Sequence, residues 1–187
     1  AIRRAVISAP VMKIVGRALP EMGDTERIAL KAGTVWWDGE RFSGKPDWSK
    51  LLDFEIKPLS EEEQAFLDGP VQDLCTMLDD WRIIQSRDLP EDVWNFLKDN
   101  GFFGMIIPKQ YGGLGFSAHA HSAVIVKLSS RSVTAAVTVM VPNSLGPGEL
   151  LLHYGTDEQE DYDLPGLAGG EDIACLAVTE PGAGSDA

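Results

Sequence analysis

The stretch LAVTEPGAGSDA, Leu176 to Ala187, holds the densest set of groups able to meet a ligand. Gly182 and Gly184 let a flat molecule approach the backbone closely, and Thr179 and Ser185 add hydroxyls and amides, a donor set suited to the polar edge of a flavin or nucleotide. Gly182-Ala183-Gly184-Ser185-Asp186-Ala187 also fits GxGxxA after an apolar run, the arrangement in which a dinucleotide pyrophosphate meets a helix N-terminus. The text before it, however, lacks the alternating strand and helix units of that fold. A tight turn would use the same residues, so their types alone leave a flavin or nucleotide loop, a dinucleotide loop and a plain bend all open.

The rest of the chain offers less chemistry. His119 and His121 are two apart and fall on different faces of a helix, with no carboxylate spaced to complete a metal site. His153 belongs to the last turn of its helix, where the helix dipole favours a cation. Cys75 and Cys175 form no CxxC or Cys/His pattern, which indicates a reducing compartment and neither zinc nor a redox pair. No nucleophile elbow, P-loop or HExxH occurs. No catalytic residue is assigned within these 187 residues, and no metal.

The net charge of −13 argues against nucleic acid, whose binding rests on Lys and Arg neutralising phosphates. The charge is uneven, because residues 1–20 carry Arg3, Arg4, Lys13 and Arg17 and no acid. Within them Val11, Met12, Ile14, Val15, Ala18 and Leu19 recur at helical spacing with Lys13 and Arg17 opposite, a short basic amphipathic helix that could lie on an anionic membrane or pack on its own protein. The longest charge-free stretch, Ser132 to Gly148, is broken by Pro142, Gly146 and Pro147, too broken to span a bilayer. No signal-peptide pattern is visible.

The elements that must position these groups read as helices. Residues 33–53, with Trp36, Trp37, Phe42 and Trp48 among glycines, form a turn-rich strap anchored by its aromatics. Ser60 with Glu63 makes a capping box that opens a helix to about Leu67. Pro70 starts a second, to about Arg87, with Val71, Leu74, Cys75, Leu78, Trp81 and Gln85 on one stripe. A third runs from Pro90 to Gly101. Five glycines make 101–117 an irregular connection. Helix returns at 117–131 with Val124, Ile125 and Leu128 inward, and Ser132–Val141 is so apolar that it reads as wholly buried. A further helix begins near Ser144 and ends at Gly155, Thr156 caps a short acidic one, 165–170 is a turn, and 172–180 is the one convincing strand.

In this setting AVTEPGAGSDA resembles the acyl-CoA dehydrogenase signature, a strand running into a TE-x-x-(A/G)-GSD loop. GFFGMIIPKQYGG, PNSLG, HYGTDEQ and LPGLAGGE resemble other stretches of that family, in the family's order, so the likeness covers residues from about 60 to 187. Two positions depart from the pattern: Gly166 replaces the usual basic residue after LP, and Asp163 the usual aromatic before it. SAPVMKIVGRALP and VWWDGERFSGKPDW are similar to the N-terminal region of the large bacterial long-chain members.

The resemblance implies an all-α fold: 1–57 an N-terminal extension, 58–170 the family's helical domain, 171–187 the first strand and loop of its β-domain. It implies FAD contacts at Leu176, Val178, Thr179, Gly184 and Ser185, and substrate contacts at Ser185, Asn143 and Leu145. The implied reaction is α,β-dehydrogenation of a long-chain fatty acyl-CoA, with a glutamate taking the α-proton and flavin the β-hydrogen as hydride. The implied partners are the acyl-CoA, an electron-transfer flavoprotein and further copies in a homo-oligomer, and the implied location is the cytoplasm, with association to the bacterial inner membrane. The family's base lies in a C-terminal helical domain, so Glu180 is not taken as the catalyst, and these 187 residues are expected to be inactive alone. Outside the resemblance, an acidic helical interaction module is the alternative.

Overall fold

The computed structural model describes residues 3–18, 23, 27–28, 31, 36–144, 146–175 and 177. Their regular structure is helical, with no strand among the described residues. The chain divides into two compact units, one holding the residues up to Glu55 and one running from Ile56 through the last helix.

In the first unit a π-helical turn, Arg4–Ser8, leads into α1, Ala9–Ala18, and neither buries a residue. The tryptophan-rich strap is less extended than its glycines suggest, because two single turns form, α2 (Trp37–Arg41) and α3 (Trp48–Leu52). Asp47 caps α3 by accepting from Ser49 N, and Glu40 accepts from Asp47 N at 2.8 Å and pairs with Lys50. The rings pack on one another, Trp37 on Trp48 at 4.9 Å and Trp36 on Phe54 at 5.0 Å. Only Trp37 among these helices is buried, its indole N–H donating to Asp47 O.

The second unit begins as expected. Glu61–Asp68 (α4) opens with a capping box, Ser60 Oγ accepting from Glu63 N and Glu63 accepting from Ser60 N. The helix expected from Pro70 to Arg87 is two: α5 (Pro70–Met77) and α6 (Asp80–Ser86). Asp79 accepts from Arg82 N at 3.1 Å and caps a fresh start, leaving Leu78 extended. The break resets the helical phase, so Ile83 turns inward, while Gln85 is exposed and Trp81 is 73% exposed. Glu91–Asp99 (α7) buries Val93 and Leu97.

Residues 101–117 then run through the core instead of around it. Phe102, Phe103, Met105 and Ile107 are buried, with Phe102 4.9 Å from Phe66 and Phe66 5.2 Å from Phe116. Such a segment is stable only if its backbone groups find partners. The loop folds back on itself, Leu114 N donating to Gly104 O, Gly115 N to Ile107 O and Phe116 N to Met105 O at 2.7–2.9 Å. This doubling requires Gly113, where a Cβ would stand 2.7 Å from Gly104 O and closer still to Ile107 O.

Ala118–Ser129 (α8) is capped by Ser117 and packs most extensively on Val133–Met140 (α9), capped by Ser132. From α8, Lys127 donates to Leu67 O and Arg131 just past its end to Cys75 O, each in the last turn of a helix whose carbonyls lack partners. The α9 helix is not wholly buried. Ala135, Ala136 and Val139 face inward, whereas Val133, Val137 and Met140 form an exposed stripe, since α8 covers one side only.

The next helix, α10, is Pro147–Tyr154, three residues later than expected, because proline sets the first turn. The acidic helix capped by Thr156 does not stop before Pro165, and α11 spans Asp157–Gly169. Pro165 is exposed and removes one hydrogen bond, while its neighbours Leu164 and Ala168 are anchored in a second small core with Ile107. The helix ends at Gly170, φ 69°, where Gly166 O accepts from Glu171 N and Asp172 N. A side chain at Gly166 would meet only the movable carboxylate of exposed Asp172, so nothing in the backbone requires the glycine there. Residues 173–175 and 177 have no regular structure, for a strand needs a paired neighbour and none is present among the described residues; 176 and 178–180 lie outside them.

Glu63 ties these pieces together: besides closing the α4 capping box, it accepts from Ser117 N at 2.7 Å, at the start of α8. The Ser117 and Ser60 amides hold its carboxyl at about 2, well below the usual 4.5. A depressed folded value stabilises above the unfolded value, and the contribution is lost as pH falls through 4.5 toward 2. Glu63→Gln is therefore expected to lose about 2 kcal/mol at neutral pH and to flatten the acid limb of stability between those values, as read by denaturant unfolding across pH. Gly113→Ala is expected to cost more, on the order of 3–5 kcal/mol, in the same assay, since backbone rather than a flexible side chain blocks its Cβ.

Candidate functional site

Of the residues expected to touch substrate or cofactor, Asn143 is described. Leu145, Leu176, Val178, Thr179, Gly184 and Ser185 lie outside the described residues. Asn143 follows α9 at 2% exposure. Its Nδ2 donates to Phe102 O at 2.7 Å and to Val139 O at 2.9 Å, and its Oδ1 accepts from Ile106 N at 3.2 Å. One amide thus fastens the end of α9 to the buried loop, and all its hydrogen atoms and its oxygen are engaged.

Beside it opens a cleft of about 390 Å³. Ile106, Phe116, Ala118 and Leu152 supply apolar wall, Asn143 and Ser144 one rim, and His121, Glu149 and His153 the polar groups. Elements far apart in sequence build it: the doubled loop, the first turn of α8 and the outer face of α10. Such a mostly apolar concavity with a few convergent polar groups is the usual form of a small-molecule site.

The two neighbouring histidines diverge as their spacing requires. His119 Nδ1 lies 2.9 Å from Lys57 O, whereas His121 turns into the cleft. His121 Nε2 is enclosed without a hydrogen-bond partner, and burial holds the imidazole below its usual value against the opposing charge of Glu149. The ring is therefore neutral at pH 7. His153, assigned from sequence to the helix dipole alone, also reaches this cleft. Spacing places Glu149 and His153 on one face of α10, but it missed the grouping because His121 reaches them only through the packing of α8 and α10 about the loop. No group of three metal-ligating side chains occurs among the described residues, and Cys75 is a half-buried thiol pushed up by burial.

The helical unit and its cleft can now be placed. Residues 59–171 match the family model described as acyl-CoA dehydrogenase, N-terminal domain, and the chain belongs to that family. Caffeyl-CoA reductase-Etf complex subunit CarC of Acetobacterium woodii is 40% identical over 104 residues, 55% of this chain and 27% of that protein. The human mitochondrial very long-chain specific acyl-CoA dehydrogenase is 30% identical over 133 residues, 69% of this chain and 20% of that protein. The chain therefore spans between a fifth and about a quarter of these relatives. Butyryl-CoA dehydrogenase from Megasphaera elsdenii shares the fold, with a TM-score of 0.58 at 21% identity over 71% of this chain and 36% of that one.

Replacing Asn143 by Leu would strand Ile106 N and Phe102 O in the interior. A loss of about 3 kcal/mol in chemical denaturation is expected, larger than for Ser144→Ala on the open rim.

Proposed function

We propose that these residues serve an FAD-dependent acyl-CoA dehydrogenase that forms the α,β double bond of long-chain acyl-CoA thioesters and passes electrons to an electron-transfer flavoprotein. The observation that carries the reading is the order of the chain: a helical domain of the family, with an apolar cleft beside Asn143, leads directly into the Gly-rich TEPGAGSDA loop. The name of the human relative supports a long acyl chain, and that of CarC supports an electron-transfer flavoprotein partner.

The donor set of 176–185 fits a flavin. Thr179 and Ser185 offer hydroxyls to a polar ring edge, the glycines admit a flat ring, and the approach residue Ala177 is exposed. Leu176, Val178, Thr179, Gly184 and Ser185 would hold the cofactor, with Ser185 also meeting the CoA portion. When bound, FAD supplies acceptance of the β-hydrogen as hydride. The chain's own part is positional: Asn143 fixes the loop and the end of α9, with Leu145 following, as one wall of the acyl site, and the apolar lining excludes water from it. None of its described residues is proposed as the base, and the 187 residues alone are proposed to be inactive.

Full-length protein is expected to be yellow and to lose its flavin absorption when palmitoyl-CoA is added without oxygen, while the 187-residue chain turns over no substrate. A colourless full-length protein that stays unresponsive would overturn the reading in favour of an acidic interaction module. A flavin spectrum that responds only to an enoyl-CoA with reductant would retain the flavoprotein and reverse its direction, as the reductase name of CarC allows.

A further inference from the structure

The first unit carries a second concavity, independent of the dehydrogenase reading. Arg3 and Arg4, at the start of the N-terminal helix, face the turn Phe42–Lys45 across an opening of about 560 Å³. Gly44, at φ 76°, makes the turn, and Ser43 Oγ accepts from Lys45 N. No carboxylate lines this opening, and among the described residues none pairs with Arg3, Arg4 or Lys45. Three cations thus converge in a chain whose net charge is −13.

The surface next to them is apolar. Val6, Ile7, Val11, Met12, Ile14 and Val15 are all exposed, with Val11, Ile14 and Val15 on one side of α1 and Lys13 and Arg17 turned from it. Phe42, at the mouth of the cationic opening, is 93% exposed. Sixteen helical residues, 3–18, make a rod about 24 Å long. No described helix is long and apolar enough to cross a membrane. A rod of this length with an apolar stripe and flanking cations is suited to lie in the plane of a bilayer surface, its stripe at the boundary of headgroups and acyl chains. An acidic protein partner would satisfy the cations and leave the stripe in water, whereas an anionic bilayer covers both.

We propose that the first unit docks on anionic phospholipid membranes, with Arg3, Arg4 and Lys45 holding a lipid phosphate while Phe42 and the stripe of α1 enter the interface. The local positive charge overcomes the repulsion that an acidic protein would otherwise meet there. Each cation near such a surface contributes about a fivefold gain in binding.

The test is flotation of the purified chain with phosphatidylcholine vesicles made with or without phosphatidylglycerol. Flotation only with phosphatidylglycerol, weakened by salt, is expected. R3A/R4A/K45A should bind roughly a hundredfold more weakly with an unchanged thermal transition, since those side chains are exposed. Val11→Asp with Val15→Asp should abolish flotation while leaving the cations in place. No flotation with phosphatidylglycerol, equal flotation of the triple variant, or self-association in place of flotation would overturn the proposal.

Discussion

A backbone that passes through an interior with only short 3-10 turns must still pair its N–H and C=O groups, and residues 101–117 set that demand for the whole helical domain. Part of the answer is internal, the doubling that brings 114–116 onto 104–107. Two side chains on other elements supply more: Glu63 receives the Ser117 amide and Asn143 takes Ile106 N and Phe102 O. Each has a second duty, Glu63 closing the start of α4 and Asn143 the end of α9. Helix ends and the loop are therefore satisfied by the same few atoms, and the cleft opens where the loop meets the first turn of α8 and the face of α10.

Much of this was legible in the sequence because its signals are local. The Ser60/Glu63 box, the caps at Ser117 and Thr156, and the starts at Pro70 and Pro90 all read within a turn of the chain, and the helical character they gave the domain is what the structure has. The failures came where a longer-range force decided. Asp79 outcompeted a helical stripe that looked continuous, and anchoring of Leu164 and Ala168 carried a helix through Pro165. The α9 helix was read as buried from its composition, although composition cannot say how many faces have neighbours.

The site divides in the same manner. Leu176, Val178, Thr179, Gly184 and Ser185 could be named from their types and from family likeness, and they lie outside the described residues. Glu149 and His153 share a face of α10 by their spacing, but no sequence signal brings His121 to them, since that meeting is made by folding alone. Its electrostatics depend on burial: an imidazole enclosed among Phe116, Ile106 and Leu152 loses its charge more readily than one in water, whatever its neighbours in the chain. Asn143, picked out for substrate, has its side-chain amide engaged with the loop and the end of α9, so at the rim of the cleft its role is to place the wall rather than to hydrogen-bond a ligand.

The doubled loop also bears on how the domain would look to a solvent probe. The amides of Leu114, Gly115 and Phe116 are bonded to carbonyls between buried residues. Their exchange with deuterated water would need the loop to part from itself, with Phe102 and Phe116 leaving their shared contact with Phe66. Exchange at these amides is thus tied to opening of that aromatic contact, whereas the ends of surface helices can exchange by local fraying. Within 101–117, whose helix is limited to the short 3-10 turns Phe102–Gly104 and Lys109–Tyr111, amide protection comes from the doubling of the chain rather than from regular secondary structure.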